Sequence, residues 1–188
     1  MASKSAGERR RGAGWTKYLW GGAALLLLLP FVAMRFTAEV NWTASDFIIM
    51  GAILALACGA IEVAVRMSSN HSYRLASLIA VGTAFLVVWS NLAVGIVGSE
   101  DSLFNMLFFA ALALGALVAI VSHLEAAGMA RAMALTGGAM VVALAVAEIA
   151  PRGADPSSRP VEVIATTIFA ALFLLSAALF RRAATEAC

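Results

Sequence analysis

Glu62 and Arg66 stand one helical turn apart in the run EVAVR, and Glu148 with Arg152 repeats that spacing in EIAPR. A carboxylate on a packed helix face is the usual start of a proton or cation site in a membrane. With a guanidinium one turn on, it is equally an ion pair whose arginine reaches interfacial water. Gly51, Ala55, Gly59, Glu62 and Arg66 share one face, so Glu62 is directed to neighbouring helices and not to lipid. Asn91 recurs with Ala80, Ala84, Val87, Gly95 and Gly98 at steps of three and four, a small-residue stripe along which another helix approaches closely. In a helix reaching Gly98, Asn91 lies about 10 Å below the end. Its expected role there is an interhelical hydrogen bond, with a ligand contact as the alternative. Glu62, Arg66, Asn91 and Glu148 form the candidate intramembrane polar site.

A second set of acids, Glu39, Asp46, Glu100 and Asp101, falls in two connectors expected on the same side of the membrane. Gathered together they suit a hard cation. Taken singly, Asp46 caps a helix, Glu100 and Asp101 suit the positive end of the next one, and Glu39 pairs with Arg35. His71 and His123 share no ligand spacing, and Cys58 and Cys188 form neither a zinc pattern nor a ready disulfide. No metal or other cofactor is expected. A nucleophile elbow, HExxH and a phosphate loop are all missing, so the chain is not expected to be an enzyme.

The elements that must position these residues are apolar spans. Of 188 residues 62% are hydrophobic and 13% charged, more apolar side chain than a soluble domain of this size hides. Dividing at the polar breaks predicts an all-α polytopic bundle of six transmembrane helices, at about 16–35, 46–66, 74–98, 103–123, 130–150 and 161–181. A disordered basic tail over 1–14 precedes a single membrane domain over 15–182, and a short tail covers 183–188. The basic and apolar start resembles a secretory signal, but no small-x-small cleavage site follows Pro30, so an uncleaved first span is expected. TASD (Thr43 to Asp46) reads as a capping box, Gly98–Ser99 as a helix end, and Pro151, Pro156 and Pro160 separate the last two helices.

Trp15, Tyr18, Trp20, Phe36 and Trp42 read as interfacial aromatics. Placing the N-terminus inside puts ten of the thirteen basic residues on the inner side and Arg35, Arg152 and Arg159 outside. Both termini are then cytoplasmic. The EVAVR and EIAPR runs, near opposite faces, would fit an inverted repeat of three plus three helices.

The segments MRFTAEVNWTASDF and NLAVGIVGSED resemble those of an uncharacterised family of small bacterial multi-pass membrane proteins. The resemblance, covering the first half best, implies a multi-pass protein of the bacterial inner membrane and carries over no activity or site. The expected partners are the lipid bilayer and other membrane proteins or a second copy of the chain, with no nucleic acid. Short loops and small-residue faces point to an accessory or scaffold bundle. The rival is a small transporter or channel for a proton, cation or small solute using Glu62 and Asn91, and an intramembrane enzyme ranks third.

Overall fold

The computed structural model describes residues 2–98, 101–149 and 159–186, with side chains from residue 16 onward. Among them it is all-helical, in the order α1 (Ala2–Ala33), α2 (Ala44–Met67), α3 (His71–Ala93), α4 (Asn105–Val121), α5 (Ala126–Ile149) and α6 (Arg159–Thr185). Five are long and apolar enough to cross a membrane: α1 through its Thr16–Ala33 portion, α2, α3, α5 and α6. The most apolar, α4, has only 17 residues, about 26 Å of rise against a hydrocarbon core near 30 Å. It therefore falls short of the span expected over 103–123. The backbone is helical from Ala2, where a disordered tail was expected over 1–14.

The chain divides into two compact units, Met1–Val63 and Ala64–Cys188. The division falls inside α2. In the first unit α1 runs unbroken through Pro30 and lies antiparallel to α2. The Cys58 thiol approaches the Leu19 carbonyl at 3.9 Å, Gly51 faces Leu27, and Phe31 meets Phe47 edge-on with centroids 6.4 Å apart. The TASD capping box forms as read. The Asp46 carboxylate accepts from the Thr43 backbone N–H at 2.7 Å and from its hydroxyl at 2.8 Å, while the Asp46 N–H reaches Thr43 Oγ1 at 3.4 Å.

In the second unit α5 lies between α4 and α6, and α6 between α5 and α3. Lipid offers no hydrophobic reward for bringing helices together, so close backbone approach must supply it through van der Waals contact. Small residues allow that approach. A Cβ on Gly115 of α4 would collide with the Thr136 hydroxyl of α5, and one on Gly137 of α5 would sit 3.1 Å from the Ala170 carbonyl of α6. Phe108, Met140, Phe173 and Phe180 fill the interior, while Leu117, Ile120, Val142 and Val161 face outward.

The connectors depart most from expectation. Asn70 caps α3, its Oδ1 accepting from the Tyr73 N–H at 3.0 Å, so the helix opens before residue 74. At the far end α3 stops at Ala93, not Gly98. Gly95 and Gly98 take φ of 74° and 72°, which turns the chain out of the helix. Gly95 thus belongs to a turn and not to the helical stripe. Between α4 and α5, His123 and Leu124 also have positive φ, 52° and 59°, with the Tyr73 hydroxyl donating to the Leu124 carbonyl at 2.7 Å.

Candidate functional site

The antiparallel α3–α6 seam collects most of the buried polar side chains. Its register is set by two contacts: the Tyr73 and Phe180 rings at 5.0 Å, and the Ser176 hydroxyl donating to the Ala76 carbonyl at 2.9 Å. From these layers, α3 buries Ala80, Thr83, Val87 and Asn91, and α6 buries Phe173, Phe169, Thr166 and Glu162, at steps of three or four. Equal totals counted from the Tyr73–Phe180 layer, 14 residues along each helix and then 18, set Val87 level with Thr166 and Asn91 level with Glu162.

This last pair of layers lies beneath the turn that follows α3. Glu162, 4% exposed, accepts the Gly98 N–H on Oε1 at 3.0 Å. Asn105, 1% exposed at the start of α4, accepts both the Ile96 and the Val97 N–H on one oxygen, at 3.1 and 3.0 Å. Two side chains therefore satisfy three backbone donors that the irregular turn would otherwise strand.

Asn91 sits two residues from the end of α3, about 3 Å of helix rise in place of the expected 10 Å. Its Nδ2 donates to the Val87 carbonyl one turn back at 2.8 Å, so the bond is intrahelical and not interhelical. That contact fixes which way the amide faces, since a carbonyl can only accept. Among the described residues, neither the buried Asn91 Oδ1 nor the Thr166 hydroxyl has a hydrogen-bond partner.

The other sequence candidates are dispersed. Glu62 is half-buried on α2 and accepts the Trp20 indole N–H at 3.4 Å, which gives Trp20 a polar contact within the first unit beyond the interfacial role expected of it. Arg66 is exposed. Glu148, half-buried at the end of α5, lies 4.0 Å from Arg159 at the start of α6. Its expected counterpart Arg152 is outside the described residues. Of the outer acids, Asp46 is taken up by Thr43, Glu39 and Asp101 are exposed, and Glu100 is outside the described residues. Arg35 stacks its guanidinium 5.5 Å from the Phe31 ring centre. Among the described residues, no three His, Cys, Asp or Glu side chains are grouped to hold a metal ion.

Sequence reasoning passed over Asn105, Glu162 and Thr166. The acid at Glu162 just after Pro160 was a usable signal, since Pro and an acid both mark a helix's first turn.

At the opposite end of the same unit a recess of about 280 Å³ is lined by Ser68, Asn70, Tyr73, His123 and Glu125 among others. Beside it, Glu186 accepts from Arg182 Nε at 2.7 Å, Asn70 Nδ2 at 2.9 Å and the Ser72 hydroxyl at 3.2 Å. The Arg182 hydrogen bond first, and that of Asn70 second, hold its carboxyl below the usual glutamate range. Compared with family models, curated proteins and solved structures, the chain matches none of them.

Proposed function

We propose that the chain is a multi-pass membrane scaffold that associates with other membrane proteins, and that catalysis is no part of its role. The observation that supports this reading is how the polar side chains of α3–α6 are used. Asn105, Glu162 and Ser176 are buried, and each bonds backbone of a neighbouring turn or helix, fastening the elements to one another. We place the protein in the bacterial inner membrane with six spans, α4 completed by the turn before it, and both termini cytoplasmic. The distribution of basic residues and the resemblance of the first-half segments support that placement. The test is extraction into lipid nanodiscs followed by crosslinking and mass measurement. A stoichiometric membrane partner, or a defined oligomer, is expected; a protein that remains a monomer without partner under every growth condition defeats the scaffold reading.

A second reading, passage of a proton, cation or small solute, is favoured by the half-buried Glu62 carboxylate and by the unsatisfied Asn91 Oδ1. Flux through reconstituted protein, reduced in Glu62→Gln, is its expected signature. Absence of flux from vesicles that contain folded protein rejects it.

A further inference from the structure

The recess end of the second unit carries an excess of cations. Among the described residues there, Arg66, Arg74, Arg131, Arg181 and Arg182 stand against two acids, Glu125 and Glu186. Three of these arginines are already in use. Arg74 donates to the Ser68 and Val65 carbonyls at 2.7 and 3.0 Å, Arg182 holds Glu186, and Arg66 is engaged as well. Arg131 and Arg181 differ: both are exposed, and neither forms a hydrogen bond or ion pair with any described residue. Glu125, the remaining acid, is paired with neither of them.

Three consecutive residues of α5 show which way Arg131 faces, since successive side chains on a helix point about 100° apart. Thr136 meets Gly115 of α4, and Gly137 meets Ala170, Phe173 and Leu174 of α6. A Cβ on Gly138, one step further round, would meet nothing within 4 Å. Arg131 stands two turns before Gly138, on the same free face as the exposed Leu135 and Val142. On α6, Arg181 stands two turns beyond the exposed Leu174. Because α5 and α6 are antiparallel, with Glu148 near Arg159, six residues back from Gly137 and seven on from Leu174 lead to the same end of the pair. Those steps are about 9 and 10.5 Å of helix rise. Two unpaired guanidinium groups thus stand together at one end of an apolar helix pair.

In a bundle that crosses the bilayer, such a face meets acyl chains along its length and headgroups at its end. A guanidinium fork matches phosphate oxygens in pairs, and basic sites between membrane helices take phosphorylated headgroups. A second copy of the chain, placed by a twofold axis along the membrane normal, would instead set the same cations against themselves. We propose that this end of the α5–α6 pair is a docking site for one anionic phospholipid, its phosphate shared by Arg131 and Arg181 and an acyl chain lying over Gly138. Charge complementarity selects the headgroup, and the open apolar face selects a lipid over a soluble anion. The site goes beyond both functional readings, since a bound lipid suits a scaffold and a transporter alike, and it depends on neither a protein partner nor the direction of insertion.

The experiment is equilibrium binding of radiolabelled phosphatidylglycerol to the full-length chain in a neutral detergent, with phosphatidylcholine as the uncharged comparison. Saturable binding of phosphatidylglycerol near one lipid per chain is expected, and no saturable binding of phosphatidylcholine. Arg131→Gln and Arg181→Gln should each weaken it by about fivefold. Arg35→Gln, which removes the arginine stacked on Phe31, should leave it unchanged. Inorganic phosphate in excess, at constant ionic strength, should not displace the lipid. Both arginines are exposed, so their variants should unfold at the temperature of the unsubstituted chain; should either misfold, the comparison of the two lipids on the unsubstituted chain decides. Equal binding of the two lipids, undiminished binding in both variants, an equal loss in Arg35→Gln, or displacement by inorganic phosphate overturns the site.

Discussion

Asn105 answers for two N–H groups with one oxygen, so its removal is felt at the backbone and not at its own side chain. Asn105→Ala leaves the Ile96 and Val97 N–H groups buried and unmet, at about 1–3 kcal/mol each. A lowered unfolding temperature in detergent, with α3 and α6 still helical by circular dichroism, is the expected outcome. Glu186 is the pH-sensitive counterpart at the other end of the unit. Its carboxyl is held below the ordinary value of 4.5 by Arg182 and Asn70, so the clasp contributes stability that is fully present above that value. The contribution is lost as pH falls through the lowered folded value. Thermal unfolding of the native chain and Glu186→Gln should differ at pH 7 and converge in acid. Asn91 was legible as a polar group on a buried face because a lone amide stands out in an apolar run, but its depth below the helix end was not. Asn105 and Glu162 were not, because at the ends of runs they look like ordinary boundary residues until the turn folds over them.

The helices themselves were legible because apolar length is a property of consecutive residues, and the Thr43–Asp46 capping box because its partners are three positions apart. The end of α3 was not, since Ile96 and Val97 continue the apolar run while Gly95 turns the backbone beneath them. Hydropathy reports what a side chain prefers to touch and is silent on a change of φ. The glycine contacts between α4, α5 and α6 define a steric test at this scale. Gly115→Ala forces a methyl onto the Thr136 hydroxyl and should destabilise by about 1–3 kcal/mol. In Gly115→Ala with Thr136→Ala, which removes that hydroxyl, part of the loss should be recovered. An additive double variant in a thermal-unfolding cycle would show that the two positions do not meet.

At the scale of the whole molecule, the expected placement puts a label within 153–158 outside and one after Arg182 inside. Cysteine labelling in intact cells decides it, and an externally reactive C-terminal label breaks the six-span topology. The seam between α3 and α6 bears on how the chain reaches that arrangement. Ser176 and Ala76 are separated by 100 positions, so α3 leaves the ribosome about 5–20 s before the surface it packs against has been made, at about 5–20 residues per second. Through that interval the buried face of α3, with Ser77, Thr83 and Asn91, is offered to lipid or to whatever insertion factor stands beside it. Ser77 and Thr83 meanwhile bond carbonyls four residues back in their own helix, and so does the Asn91 amide. Those short-range bonds let a polar helix wait in the bilayer, and α6, when it arrives, completes a surface already prepared for it.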